Sequence, residues 1–523
     1  MDILHQPESS RHESHPVWIW ITLILTLLVG LTGCQQIFPY LSTPTTPARV
    51  QVETTATFTP TATTIATQKP TPTNTPEATP TSIFEIPGDG FLVYTTQQGD
   101  TLPAIAARFG VSTAAIRAES GLSAEGLLPI GQDMLIPDTL EDALPFSSPI
   151  LPDCEVPYGP SVVGFDASAF AIEAGGFLAG YVETVDEESL GGPEIVQRVA
   201  VETSTNPRLL LAFLEYQSGW VFGHPEGAAE DSYPIGYGAG TDTGLYKELM
   251  ITAKLLAQGF YGWRDGSLLE ITFLDGSTAR LSPELNVGST ALMRLFATLY
   301  PQAGWEENLF GESSFLVFYQ TLFGDPWERS AAVEPYLTGA TTQPDLTLPF
   351  AVGEGWSLTG GPHITWQTGT PWGALDFAPI TGEPTCAVST LWVTASAPGL
   401  VVRSEHSVVA IDLDGDGDEG TGWVLIYQHI AAEGRAAVGT WLAQDAPVGH
   451  PSCEGGHTTG THLHFARKFN GEWVGVGSPL PLVLSGWQAY AGEKAYQGYL
   501  LKGEETITAS PNGSGGSLII RDE

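Results

Sequence analysis

The sequence predicts a multidomain protein in which a small βααβ unit and a mainly α-helical middle domain precede a mainly β C-terminal domain built on an antiparallel sheet. Three observations predict it. At 523 residues the chain is too long for a single core. A Thr/Pro-rich stretch separates an apolar leader from everything that follows. Beyond it the hydrophobic spacing becomes helical after about residue 155, then changes after about residue 348 to short β-rich runs broken by Gly and Pro. Composition narrows the function. Twenty basic residues against 59 acidic ones give 20 − 59 = −39, a field that repels nucleic acid. A hydrophobic content of 42% with fourteen Trp excludes a disordered acidic chain.

The leader is apolar over residues 17–32, short for a membrane span and right for the core of an export signal. It ends Leu31-Thr32-Gly33-Cys34, which resembles the lipobox of bacterial lipoproteins. That resemblance implies a signal over residues 1–34 and a lipidated Cys34 that anchors the chain to the cell membrane on its extracytoplasmic side. An uncleaved anchor helix is the other reading, and it too puts the rest outside the cytoplasm. Residues 35–88 carry little large apolar surface to offset ordering entropy and are expected to form a disordered, extended tether.

Residues 89–139 form the first folded unit. Val93-Tyr94-Thr95 reads as a strand, Thr101 as a helix N-cap, 102–109 and 112–119 as helices, and 132–137 as a closing strand. This order, with Tyr94, Gly99-Asp100-Thr101-Leu102, Ile105-Ala106, Gly110, Leu128 and Gly131-Gln132, resembles a LysM module. The resemblance implies binding of N-acetylglucosamine-containing glycans such as peptidoglycan, with Gly99, Asp100, Thr101 and Leu102 as the glycan-binding residues. Glu119 stands about where the family places Asn.

Residues 155–345 show helical spacing over 194–200, 208–216, 245–260 and 290–299, and a hairpin around Asp275-Gly276. The run from Asn206 to Trp220 resembles the catalytic helix end of lytic transglycosylases and goose-type lysozymes, so the domain is expected to be lysozyme-like. Gln217 occupies the family's Glu position and cannot deliver a proton. Glu215, two residues earlier, lies on another helix face. The domain is therefore expected to be non-catalytic.

Residues 348–500 hold the chemistry, with 501–523 as a C-terminal tail. Seven of the eleven His lie between His363 and His464. Strands are expected at 392–395, 400–402, 408–411, 423–427 and 463–467. His462 and His464 are two apart in a strand and so project from one face. With Tyr427-Gln428-His429, Leu375-Asp376-Phe377 and Gly360-Gly361-Pro362-His363, they resemble the M23 zinc metallopeptidases. The shorter first motif of that family would put its His at Trp372. The wider one of the β-lytic endopeptidase and staphylolysin branch fits His363 and Asp376, 376 − 363 = 13 apart. The resemblance implies one zinc held by His363, Asp376 and His464, with His429 and His462 as catalytic residues. Three protein ligands leave an open position, which marks a catalytic site.

Asp412, Asp414 and Asp416 sit in a Gly-rich loop that fits calcium or a solvated hairpin turn. Trp423 in place of the twelfth-position Glu excludes an EF-hand. Cys386 and Cys453 are the expected disulfide pair in oxidising surroundings, leaving Cys154 odd, although spacing alone does not fix the pairing. Together these features predict a monomeric, lipid-anchored, wall-associated zinc endopeptidase that cleaves peptide cross-links in peptidoglycan. The rival is a non-catalytic peptidoglycan-binding regulator of another wall hydrolase, which would be expected to lack zinc ligands.

Overall fold

A computed structural model describes residues 90–118, 121–225, 232–237, 243–366, 369–456, 458–477 and 479–522. All of them belong to one compact unit, Ala78–Glu523. The leader, Cys34, the tether, Glu119 and His457 lie outside the described residues. Among the described residues no helix is long and apolar enough to cross a membrane.

The first unit packs α1 (Leu102–Arg108) on a three-stranded sheet of β1 (Phe91–Thr95), β2 (Arg117–Ala118) and β3 (Asp133–Pro137), in the order β1-β3-β2. Thr101 caps α1 by accepting from the Ala104 amide. The second predicted helix is corrected to a single 3₁₀ turn, Thr113–Ala115, followed by β2. A helix that short has little stability of its own, and pairing of Arg117 and Ala118 with Leu135 and Met134 wins.

The middle domain consists of helices α2 (Ala167–Ala174), α3 (Phe177–Gly180), α4 (Gly192–Thr203), α5 (Pro207–Ser218), α6 (Leu245–Asp265), α7 (Val287–Leu299), α8 (Gln302–Phe310), α9 (Phe315–Phe323) and α10 (Pro326–Val333). Two hairpins interrupt them, β4 (Val182–Val185) with β5 (Glu188–Gly191), and β6 (Glu270–Thr272) with β7 (Thr278–Arg280).

The C-terminal domain is a nine-stranded antiparallel sheet. Its members are β8 (Gly355–Ile364), β9 (Trp372–Pro379), β11 (Gly399–Glu405), β12 (Val408–Asp412), β13 (Trp423–Gln428), β14 (Trp441–Leu442), β16 (Leu463–Phe469), β17 (Glu472–Trp473) and β22 (Leu518–Ile520). Their order is β14-β11-β12-β13-β16-β9-β8-β22, with β17 on β16. The pair β10 (Val393–Thr394) and β15 (Pro447–Gly449) and a four-stranded sheet of β18 (Val483–Leu484), β19 (Trp487–Ala491), β20 (Gly498–Lys502) and β21 (Glu505–Thr508) complete it.

Alternation divides the main sheet between two cores. Val409, Ile411, Leu425, Tyr427, Phe465, Leu375 and Phe377 pack within the C-terminal domain. Val408, Ala410, Val424, Ile426, Ala466 and Ala374 pack in the same cluster as the middle domain's helices. That face is sealed by hydrogen bonds from Trp473 Nε1 to the Thr203 carbonyl (3.0 Å) and from the Trp473 amide to the Tyr261 hydroxyl (2.8 Å). The predicted tail is corrected: residues 501–523 include β21 and β22. The Leu518-Ile519-Ile520 run pairs with β8, buries Ile519, and leads to a buried Arg521 that donates to the Phe350 carbonyl.

Candidate metal centre

Three strands deliver the three predicted ligands. His464 of β16 stands opposite Asp376 of β9 in the ladder. His363 of β8 pairs with Ala374, and register shifts on either side of it carry its ring toward Asp376. The thirteen-residue separation is thus the turn of the β8–β9 hairpin. A Cβ at Gly360 would overlap Asp376 Oδ2, and one at Gly361 would press on the Gln497 backbone, so both glycines are required by close approach.

His363 Nε2 and His464 Nδ1 are 3.1 Å apart, and they lie 3.3 and 3.2 Å from Asp376 Oδ1. The opposite ring nitrogens donate to carbonyls, His363 Nδ1 to Gly361 (2.8 Å) and His464 Nε2 to Thr365 (3.0 Å). A carbonyl only accepts, so in the neutral rings the inward nitrogens present lone pairs. Asp376 Oδ1 is buried with no hydrogen-bond partner. Three acceptors therefore face one another with no proton between them, an arrangement that a cation stabilises. Ligands about 2.0–2.1 Å from a tetrahedral ion lie about 3.3 Å apart, so the triangle fits zinc. Carbonyl bonds that fix the outer ring nitrogens are what a metal-ligating His needs. Burial pushes His464 down.

His429 and His462 complete the group, with ring centroids 4.5 Å apart. A left-handed residue at the end of β13, His429 donates from Nδ1 to the Glu454 carbonyl (2.9 Å). His462 donates from Nδ1 to Gly460 (2.7 Å) and brings Nε2 to 3.8 Å from Asp376 Oδ1. Both Nε2 atoms are left for a ligand. Burial, then the neighbouring His462, lowers His429 to about 4, so it is neutral near pH 7 and able to accept a proton. The Cys386–Cys453 disulfide is formed. It clamps the loop before Glu454 to the loop whose Ala387 carbonyl accepts from the Thr461 hydroxyl (2.6 Å), so one bond steadies the supports of both histidines. Cys154 is buried and unbridged.

Sequence reasoning missed Tyr496. Its ring stacks on His363 at 4.1 Å, and its carbonyl accepts from the Gly361 amide (3.0 Å). No local pattern marks a residue in the β19–β20 connection as a neighbour of β8. Two further described histidines lie elsewhere: His450 packs on Trp392 and donates to the Leu391 carbonyl, and His406 lies in the β11–β12 turn 3.9 Å from Glu188.

The other predicted sites are arranged differently. The Asp100 carboxylate accepts from Tyr94, Arg108 and the Gln97 amide, Leu102 is in the module's core, and Gly99 lies against Arg264 of α6. Gly99, Asp100 and Leu102 are buried, whereas Thr101 is partly exposed and lines a cavity. Glu215 accepts from the Val221 and Phe222 amides, a structural task, while Gln217 accepts from the Tyr300 hydroxyl. Asp412, Asp414 and Asp416 form the β12–β13 turn with carboxylate oxygens within 4.8 Å, and Asp412 also accepts from the Asp414, Gly415 and Gly417 amides.

Residues 149–336 match the family model described as LasA, N-terminal domain, and residues 94–137 match the LysM domain model. Most of the stretch expected to be lysozyme-like, residues 155–345, is thus covered by the LasA N-terminal match, which ends at residue 336. Two curated relatives, each named Protease LasA and from two strains of Pseudomonas aeruginosa, are 25% identical over 332 residues, covering 60% of this chain and 73% of theirs. Among solved structures, the M23 metalloprotease pseudoalterin from the deep sea is 22% identical, with 32% of this chain and 96% of its own covered and a TM-score of 0.27. The catalytic domain of lysostaphin from Staphylococcus simulans is 20% identical, covering 23% of this chain and 87% of its own, with a TM-score of 0.18.

Proposed function

We propose that this chain, an M23-type metallopeptidase that carries a LysM module, is a zinc-dependent endopeptidase that cuts peptide cross-links in peptidoglycan outside the cytoplasm. The observation that carries the proposal is the buried triangle of lone pairs at His363, Asp376 and His464, with edges of 3.1–3.3 Å and an otherwise partnerless carboxylate oxygen. Zinc bound there would polarise the scissile carbonyl and bring the pKa of a water to about 7. The neutral His429 is suited to take a proton at Nε2 and pass it to the leaving amine, and His462 to donate from its Nε2 to the oxyanion, which requires its protonated form. The LysM module would hold the enzyme on its polymer and raise the local substrate concentration. Anchoring through a lipidated Cys34 and calcium at Asp412, Asp414 and Asp416 are proposals of the same origin, resting on the lipobox-like motif and the clustered carboxylates respectively. The non-catalytic alternative is disfavoured by a ligand set with all three positions filled.

Metal analysis combined with mass spectrometry of digested wall tests this. One zinc per chain and new amino termini are expected, both lost in His363→Ala. New reducing or anhydro-sugar ends in place of amino termini would overturn the peptidase reading.

A further inference from the structure

The two imidazoles of the metal triangle are oriented from different domains. His363 Nδ1 donates to the Gly361 carbonyl, and the Gly361 amide is in turn tied to the Tyr496 carbonyl, so all three residues of that support lie in the C-terminal domain. His464 Nε2 donates to the Thr365 carbonyl (3.0 Å), and Thr365 opens the turn between β8 and β9. That turn is seated on the middle domain. Trp366 is buried in the same apolar cluster as the helices and not in the C-terminal core. At the other end of the turn, a Cβ at Gly369 would stand 3.8 Å from Lys254 Cε and 3.9 Å from Gln258 Nε2, both of α6.

A continuous set of contacts joins the helices to the ligand. Trp473 donates from its amide to the Tyr261 hydroxyl of α6 and from Nε1 to the Thr203 carbonyl at the end of α4, bonds that fix its indole on the middle domain. Trp366 lies nearly parallel to that indole, at 13° with centroids 6.5 Å apart. The Thr365 carbonyl and the Trp366 nitrogen belong to one planar peptide unit, so the packing of Trp366 sets where that carbonyl points. The C-terminal domain's own holds on Thr365 act elsewhere. Its amide donates to the Pro371 carbonyl (3.3 Å), and its side chain lies so close to Gly373 that a Cβ there would come within 2.5 Å of Thr365 Cγ2. Neither contact acts on the peptide unit that carries the carbonyl.

We propose that Trp366 is a positioning residue through which the docked middle domain aims the Thr365 carbonyl at His464, which makes those helices part of the metal centre. This rests on the zinc-peptidase reading and deepens it: zinc binding and docking of the middle domain are linked, each favouring the other by the same factor. Loss of the partner that orients a ligating His weakens metal binding by roughly 10- to 100-fold, which sets the scale of the linkage. A chain whose helices are undocked therefore holds zinc weakly.

Competition titration of the full chain with a chelator tests this. Trp366→Ala leaves His363, Asp376, His429, His462 and His464 in place and should bind zinc about 10- to 100-fold more weakly, while Trp366→Phe, which keeps a ring in the cluster, should recover most of the loss. Leu309→Ala removes a buried side chain of the same cluster from α8, a helix that packs on α7 and α9, and should bind zinc as the unaltered chain does. Near-ultraviolet circular dichroism checks that each variant folds. The reverse effect is read on the unaltered chain. Lys468 is buried with its ammonium donating to the Val201 carbonyl of α4, so undocking exposes it, whereas Lys247 on the outside of α6 is exposed throughout. Zinc should slow acylation of Lys468 by an amine-reactive reagent by about the same factor and leave Lys247 unchanged, as mass spectrometry of peptides would show. Unchanged zinc affinity in a folded Trp366→Ala, equal weakening in Leu309→Ala, or no zinc-dependent protection of Lys468 would each overturn the proposal, the last whether or not the variants fold. If the unaltered chain binds zinc stoichiometrically, those outcomes leave the peptidase reading standing; if it binds none, both fall.

Discussion

Asp376 and Glu419 are both buried carboxylates of the C-terminal domain, and Arg403 and then Lys468 hold Glu419 down to about 2 against the opposing effect of burial. Their surroundings differ in completeness. Glu419 accepts two hydrogen bonds from Arg403 (2.7 and 2.9 Å) and one from Lys468 (2.8 Å), whose ammonium also donates to the Val201 carbonyl of α4. Asp376 has two imidazole lone pairs beside an oxygen with no partner. The satisfied carboxylate ties the sheet to the middle domain. The unsatisfied one waits for a cation. Residual frustration, not burial or charge alone, separates the proposed metal-binding carboxylate from the structural one.

The largest effect should come from exchanging these roles by mutation. Asp376→Ala is expected to abolish zinc binding and wall cleavage while leaving the melting temperature of metal-free protein unchanged or higher, because it removes an uncompensated buried charge. Glu419→Gln is expected to leave zinc content intact and to cost about 3–5 kcal/mol in denaturant unfolding, since it leaves Arg403 and Lys468 buried without an anion. If both variants lost zinc, or both lost only stability, the contrast would collapse.

Acid should distinguish them next. The folded pKa of Glu419 lies below its ordinary 4.5, so the unfolded chain takes up the proton first as pH falls. Its contribution is complete above about pH 4.5 and is lost toward pH 2, a change of about 3 kcal/mol. Unfolding free energies of metal-free protein across that window should slope accordingly, and the slope should shrink in Glu419→Gln; equal slopes would show that Glu419 is not the group titrating.

The disulfide tests the supports of the proposed catalytic pair instead of the proposed ligands. It closes a separation of 67 residues, and replacing both Cys386 and Cys453 by Ser should cost about 2–4 kcal/mol. Turnover should fall with zinc content preserved, because Glu454 and Thr461, which lie next to the clamp, position His429 and His462. Parallel loss of zinc and turnover would argue that the bridge supports the whole sheet.

Local periodicity made part of this site legible. The two-residue spacing of His462 and His464 put both rings on one face of a strand, and an apolar strand located His429. The approach of His363 depended on register shifts within β8, which alternation cannot encode, so only the wider motif pointed to it. The docked middle domain leaves a trace in the sequence. Val408-Val409-Ala410-Ile411 and residues 423–427 are apolar at successive positions, which is the pattern of a sheet covered on both faces. Short β22 and the 3₁₀ turn at Thr113 were misread because long-range pairing, absent from any local window, decided them.

Tyr496 gives the smallest and most discriminating prediction, because it belongs to neither carboxylate's first neighbours but touches a ligand of one. Its ring lies nearly parallel to that of His363, at 21°, and is half exposed, so it both restrains the imidazole and borders the open side of the site. A stack of this kind contributes about 0.5–1.5 kcal/mol. If that energy acts by holding His363 in its ligating orientation, Tyr496→Ala should weaken zinc affinity by roughly 2- to 12-fold in a competition titration with a chelator. Tyr496→Phe keeps the ring and should bind zinc as the unaltered chain does. A loss of turnover in Tyr496→Phe at full zinc occupancy would instead assign the hydroxyl a contact with substrate, and equal zinc affinity in all three proteins would leave the carbonyl bonds at Gly361 and Thr365 as sufficient to orient both ligating rings.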